Sequence, residues 1–152
     1  MVNDVYKILI KRFAIMCILI VALFLAIFAF HRLNADSLSR ASYTTTMICF
    51  IGSAIFSLCV PIIIRLVTFK KVKDNGNLTR ATYLDFHNVV LISVFIGTLF
   101  ALYGYFALIQ DTLETVTVLI ALYGIYSAMP NKKTIKIEFV EFNVEDFRNK
   151  NK

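Results

Sequence analysis

The sequence is poor in the residues that usually carry chemistry. It has three cysteines and two histidines in 152 residues, and only 17% of its residues are charged. Cys17, Cys49 and Cys59 all lie inside apolar blocks, and no CxxC pair occurs. An odd count without that spacing excludes a disulfide framework and a zinc site, so the thiols read as small apolar side chains. There is no Ser-His-Asp arrangement, HExxH, Walker loop, glycine-rich dinucleotide motif or pair of intramembrane carboxylates. No enzymatic activity, cofactor or metal is therefore expected. His31 and His87 fall on opposite sides of the expected membrane, so they cannot ligate one haem or metal together.

What the chain has in quantity is apolar surface. Hydrophobic residues make up 59% of it, and the mean hydropathy is +0.73. The excess is gathered into blocks, and about 20 apolar residues in a helix cross roughly 30 Å of hydrocarbon. The blocks predict four spans over about residues 13–30, 44–64, 89–109 and 112–129. The expected fold is all-α, a polytopic integral membrane protein built as an antiparallel bundle of four transmembrane helices. Residues 1–130 form its membrane domain and 131–152 a short tail. Lys7, Lys11 and Arg12 precede the first block as they would in a signal peptide. That block is longer than a usual signal core and no small-x-small site follows it, so it reads as a retained span.

Turns and caps punctuate the blocks. A polar loop, 31–43, offers several capping hydroxyls, Ser42 among them, before the second span. Asn75-Gly76 marks a turn within 70–77. Thr82 with Asp85, and Asp111 with Glu114, have the spacing of capping boxes and place the third helix start near Tyr83 and the fourth at Asp111. Pro61 frees a carbonyl in the second helix and predicts a kink, and Pro130 ends the fourth. In the tail, Ile135, Ile137 and Phe139 alternate as a short strand would, whereas Val140, Val144 and Phe147 follow helical spacing.

Charge sets the expected orientation. The N-terminal segment, the 65–80 loop and the tail carry 3, 5 and 6 of the 16 lysines and arginines, leaving Arg32 and Arg40 on the other side. Basic residues stay where translocation is disfavoured, so both termini are expected in the cytoplasm, with the chain in the cell membrane, an inner membrane if bacterial. The same clustering explains the net charge of +6 without a nucleic-acid partner.

In lipid, helices associate through close packing. Ser93, Gly97, Ala101 and Gly104 line one face of the third helix, and Thr117, Ala121 and Gly124 one face of the fourth. Cys49, Ser53 and Ser57 do so on the second helix, and Ala22, Ala26 and Ala29 on the first. Ionisable residues in or beside spans are the candidates for function. Arg65 can bind an anionic substrate or lipid headgroup, or snorkel to the interface. Asp85 and His87 stand at the inner end of the third helix, two residues apart and so facing differently, and His87 can relay a proton. Glu114 can bind a cation or proton, or serve the helix terminus.

The partners expected are the lipid bilayer and another membrane protein or a second copy. The leading expectation is a non-enzymatic accessory subunit acting through helix–helix contacts. An oligomeric transporter or channel using Glu114 or Arg65 is the alternative, and an immunity-type protein against a membrane-active toxin a further one.

Overall fold

The computed structural model describes residues 2–33, 40–75, 78–142 and 144, the side chains of Asp74 and Asn75 excepted. Among them the chain is helical throughout: α1 (Val2–Leu33), α2 (Tyr43–Ala54), a π-helical turn (Ile55–Cys59), α3 (Val60–Asn75), α4 (Arg80–Phe106), α5 (Asp111–Ala128) and α6 (Lys132–Glu141). Three helical stretches are long and apolar enough to cross a membrane: Val2–Leu33, Tyr43–Lys73 and Arg80–Phe106. A fourth qualifies if α5 and α6, bent by 69° at their junction, count as one broken span. With 18 residues, α5 alone reaches only about 27 Å.

Helix starts differ from the capping expectations by a residue or a turn. Ser42 caps α2 as expected, accepting the Thr45 N–H. Thr79, not Thr82, caps α4, because its hydroxyl accepts the Thr82 N–H and binds the Thr82 hydroxyl at 2.8 Å. On α5 the N-cap is Gln110, without a side-chain bond, so Asp111 is already helical and Glu114 is not the reciprocal partner in a capping box. Both acids still sit in the first turn, where the helix dipole favours negative charge. Helix α3 runs on to Asn75, past the turn expected from residue 70, and Gly76 and Asn77 lie outside the described residues.

At Pro61, where a kink is expected, the chain forms a π turn. A proline at position 61 cannot donate, and its ring crowds the carbonyl one turn earlier. The chain widens the preceding turn, so that the Val60 N–H reaches the Ile55 carbonyl five residues back. Phe56 O then has no backbone donor, since Val60 is committed and Pro61 has no N–H. Ser93 of α4 supplies one, its hydroxyl donating to Phe56 O at 2.7 Å.

Around that turn the helices approach most closely. A Cβ on Gly97 would meet the Ser57 hydroxyl and lie 2.7 Å from the Ser57 backbone nitrogen, and one on Gly124 would lie 2.8 Å from Ser57 Cβ. The π turn is thus held between α4 and α5 by two glycines. Ser93, Gly97, Ala101 and Gly104 of α4 are buried, as are Thr117, Ala121 and Gly124 of α5 and Cys49, Ser53 and Ser57 of α2 and the turn. Ala22, Ala26 and Ala29 of α1 are exposed.

The α4–α5 connection is tight. Leu108 adopts φ 51°, the left-handed residue that commonly follows a helix end, and Ile109 tucks beneath Gly104. At this hairpin end His31 of α1 bonds the Phe106 carbonyl at 3.0 Å, and Arg40 pairs with Asp111 at 3.6 Å.

The main apolar cluster sits at the opposite end. Val5, Leu9 and Met16 of α1, Tyr83, Phe86 and Val90 of α4, and Ile135, Phe139 and Phe142 at the C-terminal side pack together there. Most of these residues, Met16 and Val90 excepted, lie outside the expected spans. The strand expected over 135–139 is a helix, since Ile135, Glu138, Phe139 and Phe142 share one buried helical face. Among the described residues the only extended pairing is an isolated bridge between Leu78 and Val144.

Candidate functional site

Pro130 creates the site. It cannot continue α5, and steric pressure on the residue before a proline holds Met129 extended at φ −63° and ψ 121°. The chain turns through 69° and α6 starts at once, its first turn capped by Asn131, whose side chain accepts the Lys133 N–H at 2.9 Å. The turn lays α6 across the N-terminal ends of α1 and α4. Its apolar face then carries one acid, Glu138, into the core, where only 6% of the residue remains exposed.

Glu138 is met from two other helices. Tyr83, in the first turn of α4 and fully buried, donates to Oε2 at 2.6 Å. His87, one turn on, places Nε2 3.1 Å from the same oxygen and 2.9 Å from the Tyr83 hydroxyl. Because the tyrosine proton is committed to the carboxylate, the proton in these contacts is assigned to His87 Nε2, which shares it between the two oxygens. Arg65 of α3 lies 3.4 Å from Oε1, with its own side chain 45% exposed. Burial alone would raise the Glu138 carboxyl. The hydrogen bonds and charge from His87, the bond from Tyr83 and the charge of Arg65 outweigh it and hold the group below the ordinary carboxylate value. Phe139 packs edge-on against the Tyr83 ring at 4.9 Å and so fixes the phenol. On the outer side of this end, Arg12 of α1 donates to Asn88 at 2.7 Å.

The arrangement clasps α3, α4 and α6 through one carboxylate. It joins two of the residues that stand out in sequence, Arg65 and His87, through two that do not, Glu138 and Tyr83. Asp85 is exposed and takes no part. Glu114 lies at the other end of α5, roughly 20 Å along the helix from the clasp, so it and Arg65 do not form one site. Tyr83 and His87 are four apart on one helical face, a legible pairing. Glu138 was discoverable as the single acid on the 135, 139, 142 face, once that segment is read at helical period.

Beside the clasp a cleft of about 700 Å³ opens between α5 and α6. Arg65, His87, Glu138, Tyr123, Tyr126 and Lys133 are among its walls. Among the described residues no group of three metal-binding side chains comes together. Compared with known proteins, the chain matches no family model, no curated protein and no solved structure.

Proposed function

We propose that the chain is a four-span integral membrane protein, with α1, α2–α3, α4 and α5 as an antiparallel bundle and both termini in the cytoplasm. In this reading it resides in the cell membrane, the inner one in a bacterium, and is a non-enzymatic accessory subunit of another membrane protein. One observation carries the subunit reading. Three of the four small-residue stripes are buried within the chain, whereas Ala22, Ala26 and Ala29 on α1 face outward. Small residues at this spacing let another helix approach closely in lipid. Only 6% of the apolar window of α1 is buried by the rest of the chain, which leaves that helix free to contact a partner. The orientation is supported by charge: Lys7, Lys11, Lys70, Lys71, Lys73, Lys132 and Lys133 all belong to segments at the clasp end.

Purification from native membranes in mild detergent tests the reading. The wild-type chain is expected to carry a membrane partner, and the double substitution Ala22→Leu with Ala26→Leu to release it while leaving the fold intact. Wild-type recovery as a lone monomer would contradict it.

A further inference from the structure

We infer that the cleft at the α5–α6 elbow is a binding site for a phosphate group. Its described walls hold three cations, Arg65, Lys132 and Lys133, and a single carboxylate, Glu138. That carboxylate is already committed, with Tyr83 and His87 on one oxygen and Arg65 beside the other. Two positive charges therefore face the cleft without an acid of their own.

The positions of these cations are set by the fold. The Lys132 ammonium sits 5.1 Å over the Tyr6 ring, a cation–π contact that orients it within the cleft wall. Pro130 and the α6 N-cap fix where the lysine backbone begins, and the contact with Glu138 fixes Arg65. A guanidinium fork with ammonium point charges beside it is a recurring way to hold tetrahedral phosphate oxygens. The volume, about 700 Å³, exceeds what a bare phosphate fills and leaves space for a glycerol or similar substituent. Tyr123 and Tyr126, 61% and 75% exposed, form the cleft's outer wall. Tyrosines at the end of a span mark headgroup depth, so the phosphate can arrive on a lipid or on a soluble phosphoester. Neither source requires the subunit role of α1, and the soluble one requires no assumption about topology.

The test uses the whole chain in a neutral detergent, titrated separately with phosphatidic acid, glycerol 3-phosphate, inorganic phosphate and diacylglycerol. Arg65 is left intact because it also holds Glu138. The double substitution Lys132→Gln with Lys133→Gln removes the free charge, and Lys136→Gln removes one charge from an exposed position on the same helix that does not line the cleft. Saturable binding of a phosphate probe is expected, weakened about tenfold or more by the double substitution and little changed by Lys136→Gln. Saturation by phosphatidic acid alone assigns the site to a headgroup, and saturation by the soluble phosphates as well assigns it to a soluble phosphoester. The inference is overturned if no phosphate probe saturates, if Lys136→Gln weakens binding as much as the double substitution, or if diacylglycerol binds as tightly as phosphatidic acid.

Discussion

Replacing Gly97 by alanine is expected to destabilise the protein by about 3 kcal/mol, the upper part of the range for overpacking a filled interior. The added methyl would meet the Ser57 hydroxyl and stand 2.7 Å from the Ser57 backbone nitrogen. Backbone in a π turn cannot swing aside as a side chain can, so α4 must move away from it. That movement also pulls the Ser93 hydroxyl from Phe56 O, the carbonyl that Pro61 and the π turn together leave without a backbone donor. Gly52→Ala provides the comparison, because there the crowding atoms belong only to the Phe100 ring. It should cost clearly less. Denaturant titration of the detergent-solubilised variants measures both, and equal stability of Gly97→Ala and wild type would remove the wedge from the account.

Glu138→Ala is the second large effect. It leaves the buried Tyr83 hydroxyl and His87 Nε2 without their acceptor and Arg65 without its carboxylate. Removing one member of a buried charged network costs about 3–5 kcal/mol. Here the loss is concentrated on α6, so hydrogen exchange over residues 132–141 should rise far more than over α4. Glu138→Gln keeps an acceptor oxygen for Tyr83 and should fall between the two.

The same contacts predict a pH response. The folded-state value of Glu138 lies below its ordinary one. Its contribution is therefore complete above the unfolded carboxylate value of about 4.3, and is lost as pH falls through the lower folded value. Protection of α6 should stay level from neutrality down to about pH 5 and drop at more acid pH in wild type. In Glu138→Gln it should lack that step. Full protection of α6 in Glu138→Ala would show that the clasp does not hold it.

Three long apolar helices were legible because hydropathy is carried by each residue on its own, and the small-residue stripes because i, i+4 spacing survives into any helix. Those stripes became internal contacts on three helices and stayed open on one, a distinction that depends on which helices meet. The response to Pro61 was not legible. The missing donor could be read from the proline but the π turn could not, and the group that serves Phe56 O, Ser93, lies on another helix. Ile135 and Phe139, four apart, fit a two-residue period and a helical one alike, and Ile137, which is exposed, fits only the first, so five residues did not separate strand from helix. Phe142 decides between them, and with it Glu138 moves from an unremarked tail residue to the centre of the site. Arg65 and His87 stood out as ionisable groups beside apolar blocks, but their shared partner lies more than fifty residues from either in the chain.

The reading as a four-span protein with both ends on one side is tested most directly by cysteine accessibility. In a chain whose own Cys17, Cys49 and Cys59 are replaced, single cysteines at Lys7, Lys71, Lys133 and Gln110 are probed in sealed membranes with a maleimide that cannot cross the bilayer. The expected result is labelling at Lys7, Lys71 and Lys133 from the cytoplasmic side only, and at Gln110 from the opposite side only. Labelling of Lys133 from the same side as Gln110 would place α6 across the membrane from the start of α1 and contradict the account.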